Sequence, residues 1–570
     1  MDPQAQLAAL RQLDPDALTL EELRPGFRVL LALYEPLLAE QLALRTAVAD
    51  LQLQLARKAG KGGSGSGGGQ GGGAGTGGSG TATPRGGSRS SEAERRDAEG
   101  RKPWQKSAKN DTLALDVEHH LWPDVCLKSG VWVLERFETV VVQDLVLTRR
   151  NTRFVRARYR SLLTGESLLA PLPPGYHGQF GPGIRSLALG LGYGANVSMP
   201  LLHRFFQQAG CVVSRGQVSR FLTEHLEGFA AEASAAIRAA VAHHPWLQLD
   251  DTRSGVRTEH GCCHVLGNDL ASYYVTTDRG DRRSVIEALF LGAPVTYCLN
   301  NQAFQYLQRW RVAKWVRHRL AALETAAPPD AAGFVRWLDL RLPALSLEQR
   351  EQVLTAAALA GYHDQAEIPQ ILALLSDDAV VFHGIIDAQA LCWLPDFRHY
   401  LALVPERPLH ERQFRAFKRR YWQLYQQLLA YREAPTAVRR ARIERAFGQL
   451  VEAQRAPDYL ASCIARTRKN QAKLLLVLAH PELPLHNNAR ELDVRRRVRK
   501  RDVSFGPVSA AGRLAWDTFQ GLAATAEKLG ISFWSFVVDR VHEAGELPPL
   551  AEIIAQKAAA DPRPSSWAAA

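Results

Sequence analysis

WLQLDDT, residues 246–252, is the stretch from which the rest of the chain is read. It is a short β-type run that ends on two adjacent acids, Asp250 and Asp251. GCCHVLGN (261–268) and ASYYVTT (271–277) follow as two further β-type runs separated by polar turns, and DRRSVIEALFLG (281–292) then changes to a helical pattern. The reading is three strands and a helix, with an acid on the first strand.

Outward from this segment, acids close one more apolar run. ILALLSDDAVVF (371–382) ends its strand-like part on Asp377 and Asp378, AQALCWL (388–394) is a further strand that leads into the helical PDFRHYLALV, and LPLHNNARELDVRRRVRKRD (483–502) puts Glu491 on a helix behind an Asn-Asn pair. Any one acid at a strand end is commonly a turn or cap residue. Three in this order form the outline of an RNase H-like sheet, in which Asp250, Asp377 and Glu491 would converge. Clustered carboxylates repel one another and resist ionisation, so such a cluster persists mainly by binding cations. Carboxylate ligands suit Mg²⁺ or Mn²⁺, and two such ions about 4 Å apart serve in-line phosphoryl transfer.

The whole chain has 570 residues, with 70 Lys+Arg against 58 Asp+Glu and 46% hydrophobic residues. That length excludes a peptide or miniprotein and suggests several folded units. The net charge of +12 fits a polyanionic partner, though a basic soluble enzyme fits it as well. Seven scattered cysteines, without a C-x-x-C pair, point to a reducing compartment. No apolar run of roughly 18 residues occurs and the N-terminus lacks a signal pattern, so a cytoplasmic protein without a membrane partner is expected.

Residues 1–59 read as helical. Leu30, Tyr34, Leu37, Leu44, Val48, Leu51 and Leu55 form a short heptad seam, either a coiled coil or a helix packed on its own chain. Residues 60–112 read as a disordered Gly/Ser/Arg-rich linker, with 14 glycines between Gly60 and Gly80. Residues 113–175 read as a small β-rich module, and 176–240 as a helix-turn-helix region. In the latter, the helix capped by Ser214 would present Arg215, Gln217 and Arg220 to DNA; a packed corner gives the same pattern. Residues 241–545 read as the α/β catalytic domain, with helical insertions at about 295–369 and 408–480, and 546–570 as a tail.

LQLDDT, LLSDDAVVF, ALCW followed by RHY, PLHNNARELDVRRRVRKRDVSFG and AGRLAWDTFQGLAATAEKLGISFWSFVVDR together resemble the insertion-sequence-sixty-six family of bacterial DDE transposases. The resemblance is close after Leu172. It implies an RNase H-like domain in which Asp250, Asp377 and Glu491 are the catalytic, metal-binding acids for two Mg²⁺ or Mn²⁺ ions. It further implies a transposase that cleaves at terminal inverted repeats and joins the freed 3′-OH to target DNA, as a homo-oligomer on duplex DNA and associated with the nucleoid when active. Family members commonly carry a cysteine-rich zinc module. Here Cys126 stands alone in that region, so no zinc is expected.

Arg495, Arg499, Lys500 and Arg501 are read as a DNA-backbone stripe beside the acids, and Asn487 and Asn488 as caps of the helix bearing Glu491. Trp393 reads as core, while Arg398 and His399 are candidate DNA contacts. Adjacent Cys262 and Cys263 cannot easily ligate one ion together, and a half-buried strand accounts for them and His264. Three other functions stay open: a catalytically inactive or domesticated DNA-binding protein, an RNase H-like nuclease without strand transfer, and a glycoside hydrolase using two of the acids. The basic stripe counts against the last.

Overall fold

The computed structural model describes residues 117–121, 144–254, 261–323, 330–452, 458–561 and 566–569. The chain divides into two units, Met1–Val146 and Leu147–Ala570. The seam expected in 1–59, the linker expected in 60–112 and much of the β-rich module lie outside the described residues. From 144 onward, the described part of that module holds one hairpin, β1 (Arg158–Arg160) paired antiparallel with β2 (Ser167–Leu169).

Among the described residues, four α-helices precede the main sheet: α1 (Pro182–Leu189), α2 (Met199–Gln208), α3 (Arg215–Thr223) and α4 (Glu227–His243). The chain turns between α2 and α3 at Gly210, whose φ of +77° is open to glycine without strain. The Ser214 hydroxyl then caps α3 by accepting from the Gln217 amide at 3.1 Å. Leu202, Phe206, Val213, Val218 and Phe221 bury the inner faces of this pair against Ala188 of α1.

The central sheet comprises β3 (Trp246–Arg253), β4 (Cys262–Gly267), β5 (Ser272–Thr277), β6 (Ala373–Ser376) and β7 (Ala388–Leu391), in the order β5-β4-β3-β6-β7. β4 pairs antiparallel with both β3 and β5 through short connections, whereas β6 and β7 run parallel to β3 and need crossovers. The molecule is thus a mixed α/β protein. The first crossover carries α5 (Arg282–Leu289), α6 (Asn301–Arg309), α7 (Lys314–Ala321), α8 (Ala331–Arg341) and α9 (Leu347–Asp364). Ser346 and Gln349 close a capping box on α9, and Gly361 lets this helix approach a neighbouring strand-like segment so closely that a Cβ there would meet Thr296 O.

After β7 come α10 (Trp393–Leu401), α11 (Pro408–Glu433), α12 (Ala437–Leu450) and α13 (Ala461–Lys469). They share a second core around Trp393, Tyr421, Leu428 and Phe447, distinct from the main one. The chain then returns to the sheet with α14 (Asn488–Ser504) and finishes with α15 (Ala510–Leu529), α16 (Phe533–His542) and α17 (Leu550–Ala559).

Strand alternation separates the two faces of the sheet. Leu247, Leu249 and Leu266 enter the main core with Val285, Ile286 and Leu289 of α5. Trp246 packs on the other face with Ala373, Leu375 and Ala390, and Cys263, Val265 and Tyr274 there meet Val494 of α14. Charged groups carry much of the contact between α14 and the sheet. Arg490 is fully buried, 2.9 Å from Asp493, and donates to Leu266 O at 3.0 Å; Arg497 lies 2.8 Å from Asp517 of α15 and donates to Thr276 Oγ1 at 2.6 Å. Buried ions persist through such pairing. No described helix is long and apolar enough to cross a membrane.

Candidate acidic centre

The register of β3 on β6 assembles the centre. Gln248 is opposite Leu375; Asp250 lies two residues further along β3, and Asp377 is the first residue past the end of β6. Alternation along β3 puts Asp250 on the face that α14 covers. Glu491 sits in the first turn of α14. Gln248 and Asn487 fasten the start of that helix to the strand: Gln248 Nε2 donates to His486 O at 2.9 Å, and Asn487 Nδ2 donates to Leu249 O at 3.0 Å.

Burial, first of all, pushes the Asp250 carboxyl up to about 7, and the negative charges of Asp251, Asp377 and Glu491 push the same way against one backbone hydrogen bond from Asp251. The charges of Asp377 and Glu491 thus act on Asp250, although the three carboxylates do not all bring a ligand oxygen within 4.8 Å of one another. An all-carboxylate donor set is the type that suits a hard divalent ion.

Each Asp-Asp pair divides its labour. Asp377 is exposed and accepts from the Ala379 amide at 3.1 Å. Asp378 turns the other way, into hydrogen bonds from Arg466 (3.0 Å) and Asn470 (3.1 Å), with His383 at 3.0 Å. Burial alone would raise its pKa, but those bonds outweigh it and hold the carboxyl below its ordinary value. Asp251 points to the opposite face from Asp250, and burial raises its pKa, with Asp377 adding to the effect.

The basic run on α14 is not one solvated stripe. Arg495 and Arg499 are exposed, about one and two turns beyond Glu491. Lys500 corrects the expectation of a DNA contact: it is buried, donates to Gly192 O and lies 4.8 Å from the Tyr193 ring centroid and 5.3 Å from that of Trp516. Its burial lowers its pKa to about 8. Arg501 is half-buried and donates to Arg253 O. The asparagines are corrected as well. Asn487 occupies the N-cap position without a side-chain cap: its Nδ2 donates to β3 while its Oδ1 is buried without a hydrogen-bond partner, and Asn488 is already helical.

Trp393 is core, donating from Nε1 to Leu474 O at 3.0 Å. Arg398 reaches Glu491 rather than standing apart, with Nη2 to Oε1 at 2.9 Å, and His399 Nδ1 lies 3.3 Å from Arg466 Nη1. Sequence reasoning missed Gln248 and the Asp378 cage of Arg466, Asn470 and His383. A polar residue inside an otherwise apolar strand was the available signal for Gln248. In the helical pair, Arg215 and Arg220 are exposed and Gln217 is half-buried.

No family model matches the chain, and no solved structure matches it. Among curated proteins, it is 30% identical over 325 residues to a protein of Sinorhizobium fredii (strain NBRC 101917 / NGR234) described as uncharacterized protein y4jO; the match covers 56% of this chain and 100% of that relative.

Proposed function

Since the chain belongs to the same family as that Sinorhizobium protein, whose description assigns no activity, we propose from the acidic centre that it is a transposase of the DDE type, cutting and joining duplex DNA with two Mg²⁺ or Mn²⁺ ions. The observation that supports the reading is the parallel pairing of β3 with β6: Asp250 lies on β3, Asp377 directly follows β6, and the charges of Asp377 and Glu491 act on the Asp250 carboxyl. The strand order, with three antiparallel strands followed by two parallel ones, supports an RNase H-like domain.

In this reading Asp250, Asp377 and Glu491 hold the ions. Bound there, two divalent cations supply an activated attacking oxygen and stabilise the leaving one. The chain's own residues do the rest. Asn487 and Gln248 fix the helix bearing Glu491 over β3, while Asp378 stays locked in its cage and leaves Asp377 free for the site. Arg495 and Arg499 project from the same helix to take DNA phosphates, and Arg215, Gln217 and Arg220 read or grip the element's ends. DNA-bound protein is expected as a homo-oligomer, since two ends must be joined.

The test is strand cleavage of linear duplexes drawn from the DNA on either side of the reading frame. Mg²⁺- or Mn²⁺-dependent nicking by the wild-type chain, lost in Asp377→Asn, is the expected result. Binding without any metal-dependent cleavage would instead favour a noncatalytic DNA-binding protein, and cleavage without joining a nuclease.

A further inference from the structure

The alternation that sends Asp250 to one face of the sheet sends Asp251 to the other. On the antiparallel pair β3 and β4, Asp251 is opposite His264 and Arg253 is opposite Cys262. Asp251, Cys262 and His264 therefore share the face away from α14, whereas Cys263 points back toward Val494. One ligand atom from each of Asp251, Cys262 and His264 lies within 4.8 Å of the other two. Gly280 closes over the sulfur: a Cβ there would stand 3.3 Å from Cys262 Sγ.

The imidazole of His264 holds the second observation. The residue is 0% exposed. Its Nε2 lies 3.1 Å from Ser284 Oγ and 3.2 Å from Thr277 Oγ1. Ser284 Oγ donates to Asp281 O at 2.7 Å, and Thr277 Oγ1 donates to Arg279 O at 2.6 Å. With both hydroxyl protons committed to carbonyls, the hydroxyl oxygens act as acceptors and Nε2 carries the ring proton. Nδ1 is then a bare lone pair, and it is buried without a hydrogen-bond partner. Leaving a buried acceptor unpaired costs about 1–3 kcal/mol, and a cation removes that cost. A ring held through the nitrogen that does not ligate is also how metal-binding histidines are oriented.

We infer that the Asp251 carboxylate, the Cys262 thiolate and His264 Nδ1 form a three-ligand site for a Zn²⁺-class cation, its fourth position open to water, on the opposite face of the sheet from Asp250. Thiolate with imidazole selects Zn²⁺ over Mg²⁺, the reverse of the all-carboxylate centre. Binding sends the Cys262 thiol proton to solvent, while Asp251 enters as the carboxylate and His264 as the neutral ring, so one proton leaves per ion. The ion ties β3 to β4 one residue from Asp250. Adjacent Cys262 and Cys263 offered little promise as a joint ligand pair, and no zinc was expected; the strand resolves this by sending them to opposite faces. The site stands whether or not the chain cuts DNA.

The test strips the full-length protein with a chelator and titrates it with Co²⁺, an optical stand-in for Zn²⁺. One equivalent is expected to produce a thiolate charge-transfer band and tetrahedral d–d absorption, both bleached by Zn²⁺ and untouched by excess Mg²⁺. Cys262→Ser should abolish the charge-transfer band and weaken Zn²⁺ binding at least about tenfold, while Cys263→Ser keeps both bands. Metal-free melts of each variant against wild type verify folding. If Cys262→Ser does not fold, Asp251→Asn decides: weakened binding sustains the inference and unchanged binding overturns it. It is also overturned if wild type gives no charge-transfer band, or if the band survives Cys262→Ser in folded protein.

Discussion

Arg398 donates from Nη2 to Glu491 Oε1 across 2.9 Å, joining the end of α10 to the first turn of α14. The arginine is 61% exposed and the glutamate 29%. The guanidinium thus occupies one carboxylate oxygen of Glu491 from the solvent side, so under the proposed function it would compete with a cation for that oxygen.

Arg398→Ala is therefore expected to tighten Mg²⁺ or Mn²⁺ binding to the DNA-free protein by a few fold, since a partly exposed pair is worth only about 0–1 kcal/mol. Calorimetric titration with Mn²⁺ checks this. Weaker binding in the variant would mean that Arg398 holds Glu491 in its binding position.

Asp250 makes the metal-free protein sensitive to pH. Its carboxyl is raised from an ordinary value of 3.8 to about 7, so the unfolded chain gives up this proton first as pH rises. The favourable contribution is complete below the ordinary value and is lost as pH climbs to about 7. Metal-free Asp250→Asn should accordingly melt higher than wild type at pH 8, by on the order of 2 °C, with the gap closing toward pH 4. Mg²⁺ should raise the melting temperature of wild type and not that of the variant.

Neighbouring Asp377 and Asp378 are expected to separate cleanly. Asp377→Asn changes an exposed side chain, so stability should stay within about 0.5 kcal/mol while cleavage disappears. Asp378→Asn weakens the bonds from Arg466, Asn470 and His383 and should cost about 1–3 kcal/mol. Because the Asp378 carboxyl is held below its ordinary value of 3.8, its contribution is present above that value and lost as pH falls further. Denaturant melts at pH 7 and pH 3 distinguish the two.

The basic helix should likewise split by function. Arg495→Ala and Arg499→Ala should each weaken duplex DNA binding across sequences and reduce the salt slope by about 1. Lys500→Ala should leave the salt slope alone and destabilise the fold, because this lysine is packed against Tyr193 and Trp516. Fluorescence anisotropy at several salt concentrations reads the first effect, and melts the second.

The acids of the proposed centre are legible because the apolar runs of β3 and β6 lead into acids and because Glu491 follows a strong turn signal. How the members of each Asp pair diverge is not legible from composition: on β3 it follows from alternation, and past β6 it follows from the distant Arg466 and Asn470, which hold Asp378. α14 misled for a different reason. Its buried face is written in charges, Arg490, Asp493, Arg497 and Lys500, so the usual apolar periodicity that marks the inside of a helix is missing and inward arginines look like outward ones. Asn487 reads as a cap because its residue type favours that role, while its side chain is turned to β3, with Nδ2 donating to Leu249 O far away in sequence.

Asn487 and the strand it grips are 238 residues apart in the chain. During translation Asp250 and Asp377 leave the ribosome long before Glu491 exists, and a product truncated ahead of α14 carries two of the three acids and lacks the helix that covers this face of the sheet. Synthesis itself thereby withholds the proposed site until nearly the entire polypeptide has been made.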